Sequence, residues 1–416
     1  MTDDAGNDRM ADNTNMTHDD DTTTGRRTYR RRKVLAGLGA AGIAGLAGCG
    51  SNGENATAEP SSDGGTATET SGSEAVDEAF IEEFRGSGAL AQNRDIGGTS
   101  IAELPNLSGD LTIYLGGGEG GLYRDLIARF ENIYPDFSAQ IRASGTADAA
   151  NTLINEGPAT PADVFWSVDA GSLAAVAQRG LTATLPSAVT EPVPLEFHPE
   201  DLWVGIAGRA RSVPYNTDVL TAEEVPEKVM EFPNADALSG PMGWAPTYGA
   251  FQAFVTAMRV LSGEQATREW LNGMQESNVT QYSNEFLVSN AVADGALDAG
   301  FANHYYALRV KAARPNAPID LAFTSDDAGA LINAAGAEVM QASQNKQLGF
   351  TFIRHLLSAE AQEFFATRTY AYPMVPGVPP VGGLPTIDEL NPPSFDLTKL
   401  SNLEPTLRLM RETGVL

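Results

Sequence analysis

The sequence predicts an α/β fold in which strands alternate with helices that cover parallel sheets on both faces. One observation is the β-rich run Leu111–Leu115, followed by apolar residues at helical spacing from Leu122 to Ile133. Another is the apolar run Ala162–Trp166, followed by a helical stretch that ends at Ala177. The third is size, because 416 residues with 42% hydrophobic content suit roughly two or three packing units.

The same alternation continues along the rest of the chain. Further strands are predicted at Val204–Tyr215, Leu297–Phe301 and Ile319–Phe323. Further helices carry the apolar stripes Phe251–Leu261 and, near the C terminus, Phe350–Phe365. No internal repeat is visible in the sequence.

The charge of the chain limits its partners. Asp and Glu number 54 against 27 Lys and Arg, which gives a formal net charge of -27, and the acidic residues are spread along the chain. Nucleic-acid binding needs cations that face phosphate, so this composition argues against that class. A distributed acidic coat with few lysines fits a halophile protein, because concentrated salt screens like-charge repulsion. A merely acidic secreted protein is the alternative.

The first 48 residues have the features of an export signal and stand outside the fold. Residues 1–25 are polar and acidic, and the basic run Arg26–Lys33 contains the paired arginines that indicate the twin-arginine route. The apolar stretch Ala36–Gly48 is much shorter than the ~20 residues of a membrane-spanning helix. Residues 1–48 are therefore predicted to be a signal peptide.

The residues Leu-Ala-Gly immediately before Cys49 complete the pattern of a lipobox. Cys49 is the only cysteine of the chain, and we predict that it carries the lipid that anchors the mature protein; a lone buried thiol is the alternative. Residues 49–75 are rich in Ser, Thr, Gly and acidic residues, which predicts a flexible tether. Apolar residues at helical spacing in Val76–Phe84 predict that residues 76–108 form an extension packed on the domain.

A glycine-rich loop, Gly116–Gly121, follows the first predicted strand and opens a helix. It satisfies the G-x-G-x-x-G pattern, so a dinucleotide-binding fold is one interpretation. A second is a loop that contacts a ligand around Gly117 and Gly118, because glycines free the backbone and a helix N-terminus presents unpaired N–H groups. A tight turn without a ligand is the third.

Two tyrosines, Tyr305 and Tyr306, follow the predicted strand Leu297–Phe301. On a strand they would point to opposite faces, but at a strand-to-helix turn they can converge on one point. Phenolate oxygens are hard anionic donors, and ferric iron is the biological ion best served by them. The alternative is that both rings only pack a surface helix.

Enzyme motifs are scarce in this chain. None of the patterns H-E-x-x-H, G-x-S-x-G or the P-loop occurs. The histidines are His18, His198, His304 and His355. We therefore predict that the protein catalyses no reaction.

Four blocks of the sequence, in consistent order, resemble bacterial ferric-ion-binding proteins. The blocks are Pro161–Trp166, Gly208–Thr217, Gly243–Phe254 and Asn303–Tyr306. The similarity runs from about Leu111 to the C terminus, and the family provides substrate-binding components of ABC transporters. The resemblance implies an α/β, two-lobed type II periplasmic-binding-protein fold with two crossover hinge strands, near Ser212–Tyr215 and Phe323–Ile332.

By position, the resemblance implies that Tyr305 and Tyr306 are iron-ligating phenolates. Asn303 and Thr247 would help to hold a synergistic anion, with Arg209 as its charge partner.

The chain departs from the family in the first lobe. Gly118 stands where many members have a histidine, and Val168 stands where they have an acidic ligand. The resemblance then leaves this part of the shell to Glu119, Asp169 or Tyr248, or to water and an anion.

The resemblance also implies a layout for the solute-binding domain, residues 109–416. Lobe 1 would comprise about 109–211 plus 330–375, and lobe 2 about 212–329 plus the C-terminal segment. The mechanism would be capture of ferric iron, closure by hinge motion and handover to a permease and its ATPase. The lipid on Cys49 would hold the protein, as a monomer, on the extracytoplasmic face of the cell membrane.

Two alternatives stay open. In the first, the same fold binds a small organic anion, a phosphonate or a polyamine. In the second, which is a different class, the chain is a lipid-anchored extracellular enzyme.

Overall fold

The structure is a computed structural model that describes residues 78–277 and 279–416. The predicted signal peptide, lipidated Cys49 and tether lie outside the described residues, as does Val76. Across the described part of the chain, no helix has both the length and the apolar character needed to cross a bilayer.

The described residues alternate between strands and helices. The strands are β1 (Gly109–Gly116), β2 (Phe137–Ser144), β3 (Val164–Ser167), β4 (Val204–Asn216), β5 (Met242–Trp244), β6 (Thr280–Gln281), β7 (Ala299–Gly300), β8 (Ala302–Asn303), β9 (Ile319–Ala322), β10 (Ile332–Val339) and β11 (Tyr372–Pro373). The α-helices are α1 (Glu78–Phe84), α2 (Leu122–Ile133), α3 (Thr146–Glu156), α4 (Ala170–Ala177), α5 (Ser187–Thr190), α6 (Gly249–Leu261), α7 (Glu264–Glu276), α8 (Glu285–Ala293), α9 (His304–Ala313), α10 (Lys346–Leu356), α11 (Ala359–Phe364) and α12 (Glu404–Glu412).

The first group of strands is a mixed sheet. β1 lies between β2 and β3 and runs parallel to both. β10 runs antiparallel to β3 on one side and to β4 on the other, and β11 pairs antiparallel with β4. The prediction of parallel sheets is therefore correct for β1 to β3 and wrong for β4 and β10. The reason is connectivity: β10 returns from the second group of strands, so it enters the sheet in the opposite direction.

β4 is 13 residues long and pairs with two groups of strands. From Val204 to Ala210 it lies beside β10 and β11, and from Arg211 to Asn216 it lies beside β7, β8 and β9. The second group continues in parallel from β7 to β5 and β6. The chain returns to the first group between β9 and β10. The two joining segments are β4 and the stretch between β9 and β10. They include the predicted crossovers Ser212–Tyr215 and Phe323–Ile332.

The predicted strand Leu297–Phe301 is shorter in the structure and breaks at Phe301. The Phe301 N–H donates to the carbonyl of Gly243 at 2.9 Å. Its ring packs 5.9 Å from the ring of Phe254 and 5.4 Å from that of Trp270, measured between centroids. The strand is interrupted at this residue, so that β7 ends at Gly300 and β8 begins at Ala302.

The segment before β1 packs on the first group of strands. Ile81 and Phe84 of α1 are fully buried. The carboxylate of Glu363 on α11 is also fully buried, and it accepts from Arg85 Nε at 2.7 Å and from Arg94 Nε at 2.9 Å. Two arginines of the extension therefore converge on one carboxylate of the domain.

Glu363→Gln is expected to loosen this extension, because Arg85 and Arg94 would lose the buried carboxylate on which they converge, although Arg85 keeps its pair with Glu82 at 2.9 Å. The expected loss in the free energy of unfolding is about 3–5 kcal/mol, measured by urea unfolding, and trypsin should cleave faster at Arg85 and Arg94. The exposed pair Arg268–Glu412 is the control, and Glu412→Gln should cost less than about 1 kcal/mol. Equal losses in the two variants would contradict the buried role of Glu363.

Glu338 on β10 has a fully buried carboxyl group, and neither of its oxygens has a hydrogen-bond partner among the described residues. Burial raises the pKa of the Glu338 carboxyl well above its ordinary value. A raised folded-state pKa favours the fold below the unfolded-state pKa, and this stabilisation is lost as pH rises. Near neutral pH, Glu338 therefore lowers the stability of the fold.

Glu338→Leu is expected to be more stable than the wild type by ~1–3 kcal/mol at about pH 7.5, because an unpaired buried polar group is removed. The gain should shrink as pH falls through about 4.5 and below, where the carboxyl of the unfolded chain becomes protonated as well. Glu360→Leu is the matched control, since this buried carboxylate accepts from Ser100 Oγ at 2.5 Å and from the Ile101 N–H at 2.9 Å. It should destabilise the fold, and a gain in that variant would show that burial alone decides the effect.

Candidate metal-binding site

The tyrosine pair lies where β8 turns into α9. Tyr305 and Tyr306 occupy the first turn of the helix and are only 3% and 8% exposed, with ring centroids 4.4 Å apart. The hydroxyl of Tyr248, from the turn before α6, is hydrogen-bonded to the hydroxyl of Tyr306. The strand-to-helix turn thus gathers three phenols.

Asn303 is held in place from both sides of this turn. Its backbone N–H donates to Glu285 Oε2 at 2.9 Å, and its Oδ1 accepts from Arg211 Nη1 at 3.3 Å. Its side-chain Nδ2 donates to the hydroxyl of Tyr305 at 3.3 Å. A buried ion pair between Arg211 and Glu285 therefore positions Asn303, and Asn303 orients Tyr305.

The ring of His304 lies 5.5 Å from that of Tyr305, but its nitrogens are hydrogen-bonded to the backbone. Its Nε2 lies 2.7 Å from the carbonyl oxygen of Tyr370, which only accepts, so Nε2 carries the proton. Nδ1 accepts from the Ala210 N–H at 3.2 Å. Burial lowers the pKa of His304 to about 4, so the ring is neutral near pH 7. Both ring nitrogens are engaged with the backbone, which leaves the tyrosines as the donors of this turn.

The glycine-rich loop approaches the phenols from the first group of strands. Gly117 and Gly118 have φ angles of +92° and +109°, and a Cβ on Gly117 would lie 2.9 Å from a methyl group of Val168. Glu119 also has a positive φ, +48°, which is strained for a residue with a side chain. The glycines thus permit the backbone path that carries Glu119 towards the phenols.

Glu119 meets Arg309 of α9. Arg309 Nη2 lies 2.7 Å from Glu119 Oε2. The guanidinium carbon of Arg309 lies 4.7 Å from the ring centroid of Tyr305 and 5.5 Å from that of Tyr306. Cation–π and ionic contacts therefore place one positive charge between the carboxylate and the two rings.

A small cavity, large enough for about one water molecule, lies beside Tyr305. It is lined by Glu119, Tyr123, Ala207, Arg209, Tyr305, Ala335, Thr369 and Ala371. The Nε atom of Arg209 is buried and has no hydrogen-bond partner among the described residues. The ring of Tyr123 stacks on Trp166 with centroids 4.3 Å apart. A buried guanidinium donor without a hydrogen-bond partner at Nε and the phenol groups of Tyr123 and Tyr305 thus share this cavity.

The pKa values show how these groups are charged. Burial, followed by the negative charge of Glu119, raises the pKa of Tyr305 to about 12. Burial also raises the pKa of Tyr306 and of Tyr248 above the usual value for a phenol. Burial lowers the pKa of Arg209, but Tyr305, Asp169 and Glu119 outweigh this effect and raise it. Near neutral pH the phenols are therefore protonated and Arg209 is positive.

The other predicted residues lie around this core. Asp169 caps α4, because its carboxylate accepts from the Ser172 N–H at 2.8 Å and from Ser172 Oγ at 3.0 Å. It is nevertheless near enough to Arg209 to influence its pKa. Thr247 is exposed in the turn that precedes α6. Neither residue lines the cavity beside Tyr305.

Sequence reasoning missed Arg309, Tyr123 and the pair Arg211–Glu285. A signal for Arg309 was available, since it follows Tyr305 by four positions and therefore lies on the same helix face. Among the described residues, no group of three or more His, Cys, Asp or Glu side chains could hold a metal ion. The phenols are thus the main hard donors of this site.

Two strand groups joined by crossover segments, with a cluster of phenol side chains where they meet, are typical of a solute-binding protein. The chain belongs to the family described as bacterial extracellular solute-binding protein, which matches residues 125–389. The major ferric iron-binding protein of Neisseria meningitidis is 32% identical over 274 residues, or 64% of this chain and 82% of the relative. The Fe(3+)-binding periplasmic protein of Serratia marcescens is 30% identical over 281 residues, or 66% of this chain and 82% of the relative.

Solved structures of iron-bound proteins also match this chain. Iron-bound HitA from Pseudomonas aeruginosa matches with a TM-score of 0.66 and 28% identity, over 73% of this chain and 99% of that one. The Trichodesmium FutA complex with iron and citrate shares the fold, with a TM-score of 0.61 and 22% identity over 74% of this chain and 99% of that one. The resemblance seen in the sequence and the type II periplasmic-binding-protein fold are both confirmed. These relatives are named as iron-binding proteins and the family is described as solute-binding, in agreement with the prediction that the protein is not an enzyme.

Proposed function

We propose that the protein is the substrate-binding lipoprotein of an ABC importer and captures ferric iron with a synergistic anion. The observation that carries the proposal is the convergence of Tyr248, Tyr305 and Tyr306, with Glu119 lining the same small cavity as Tyr305. Three phenolates would neutralise the charge of Fe³⁺, and Glu119 would supply a carboxylate from the other strand group. Hard oxygen donors of this kind suit a trivalent hard cation.

The anion would bind beside the phenols. Arg209 provides a buried donor without a partner, and Asn303 and Thr247 lie on the second strand group near the tyrosines. The backbone of Gly117 and Gly118 would face the anion from the first group. Asp169 would contribute mainly through its charge, because its carboxylate caps α4.

The rest of the predicted layout belongs to the same proposal. Lobe 1 would comprise about 109–211 plus 330–375 and lobe 2 about 212–329 plus the C-terminal segment, with hinge motion at the two crossovers. Residues 1–48 would direct export, and the lipid on Cys49 and the tether 49–75 would hold the protein, as a monomer, at the outer face of the cell membrane. Iron would then pass to a permease and its ATPase.

A titration of chelator-stripped protein with ferric citrate in high salt tests the proposal. We expect a visible phenolate-to-iron charge-transfer band that saturates at about one iron per chain, together with a rise in thermal stability. If neither the band nor the stabilisation is observed, the ligand is a small organic anion instead of iron. The two arginines of the site, Arg209 and Arg309, and the lack of a histidine at Gly118 favour that second candidate.

A further inference from the structure

Arg309 occupies an unusual position for a residue in a cation-binding site. Its guanidinium group contacts both tyrosine rings and is paired with Glu119, the carboxylate that faces the phenols. The side chain of Glu119 is 15% exposed and that of Arg309 is 28% exposed, so the pair is mostly withdrawn from water. A cation beside the phenols opposes the entry of another cation.

The pair also joins the two strand groups. Glu119 belongs to the loop after β1, whereas Arg309 belongs to α9, and the residues are 190 positions apart in sequence. A metal ion bound by Glu119 would share this carboxylate with Arg309, whose positive charge lies 2.7 Å from Oε2. The ion pair therefore weakens the attraction of Glu119 for a metal ion.

We propose that Arg309 is an internal competitor that sets the iron affinity of this site. Resting on the proposed function, the inference is that Fe³⁺ takes Glu119 from Arg309, whose side chain then turns towards solvent. Weakening this pair and approaching the charge of Arg309 cost free energy for every incoming cation. A trivalent ion recovers this cost through three phenolates and a carboxylate, whereas a weakly held divalent ion does not.

The direction of the expected effect is opposite to that of a ligand. Removal of a group that helps to hold iron weakens binding, but removal of a competitor strengthens it. Arg309→Met should therefore bind iron roughly tenfold more tightly than the wild type, the scale of one partly buried ion pair. Glu119→Gln should bind iron more weakly, and Arg309→Met should gain less in that background because the two residues are coupled.

The experiment is a citrate competition titration, followed by the charge-transfer band, on the wild type, Arg309→Met, Glu119→Gln and the double variant. Arg314→Met is the matched control, because Arg314 follows the last turn of the same helix and pairs with Asp294. It should bind iron like the wild type. Arg309→Lys keeps a positive charge and should lie between the wild type and Arg309→Met, and thermal melts check that each variant is folded.

The outcomes are distinct. Tighter binding by Arg309→Met alone supports the competitor role. Weaker or unchanged binding by this variant overturns it, and weaker binding would show that Arg309 holds the anion instead. Equal tightening in Arg309→Lys and Arg309→Met also overturns it, because the charge would then be irrelevant. A wild type without any charge-transfer band contradicts the proposed function itself, which separates that failure from failure of the present inference.

Discussion

Replacing both Tyr305 and Tyr306 with phenylalanine is expected to abolish the phenolate-to-iron band and to lower iron affinity by more than about 100-fold. Groups that merely support metal ligands already contribute 10–100-fold in affinity, and these two phenols would be ligands themselves. Because phenylalanine keeps the buried ring and removes only the hydroxyl, the fold should survive. Spectrophotometric titration with ferric citrate measures the band, and citrate competition measures the affinity.

Single variants and a control sharpen this test. Tyr306→Phe should also release Tyr248, whose hydroxyl is bonded to that of Tyr306, whereas Tyr305→Phe removes the partner of Asn303 Nδ2. Tyr114→Phe is the matched control, since its hydroxyl lies 2.9 Å from Glu156 and 2.6 Å from Arg142 on the first sheet. It should bind iron like the wild type. An intact band in the double variant would show that Tyr305 and Tyr306 are not ligands of the metal.

Iron affinity is expected to rise steeply with pH. The pKa of Tyr305 is raised to about 12, by burial first and then by Glu119, and the pKa values of Tyr306 and Tyr248 are raised as well. All three phenols are therefore protonated at neutral pH, and each must lose its proton to bind iron. The logarithm of the affinity should increase by about one per pH unit for each phenol that ligates, to a maximum of about three.

The measurement is a competition titration at several values between about pH 5.5 and 8, corrected for the protonation of the competing chelator. A slope near three supports ligation by three phenols, and Tyr248→Phe should reduce it by about one. Tyr114→Phe should leave the slope unchanged. A flat profile would show that iron is held by groups already deprotonated at neutral pH, such as Glu119.

The sequence predicted the local parts of this site well. The position of Tyr305 and Tyr306 at a strand-to-helix turn follows from the apolar strand pattern ahead of them, and the loop Gly116–Gly121 follows from its glycines. Both signals lie within a few residues of the feature that they predict. The predicted packing of the extension also follows from local spacing, because Ile81 and Phe84 lie on one helix face.

The parts that escaped prediction depend on contacts between distant residues. The Glu119–Arg309 pair joins positions 190 residues apart, and no sequence pattern around either residue indicates the other. The direction of β10 depends on the route by which the chain returns from the second strand group, which an apolar run alone does not specify. The break at Phe301 coincides with packing of its ring against Phe254 of α6 and Trp270 of α7, which are distant in sequence. Periodicity does not reveal such contacts.

The crossover strand and the tyrosine turn are physically one piece. Arg211 of β4 pairs with Glu285 and Asn303, while its backbone N–H donates to the carbonyl of Leu331 on the returning segment at 3.0 Å. Ser212 Oγ donates to the carbonyl of Ala302 at 2.8 Å. These contacts fix the turn that carries Tyr305 and Tyr306 to β4. In the proposed hinge motion, a swing of the first strand group relative to this turn would move Glu119 away from the phenols, so opening would separate the donors in a single step.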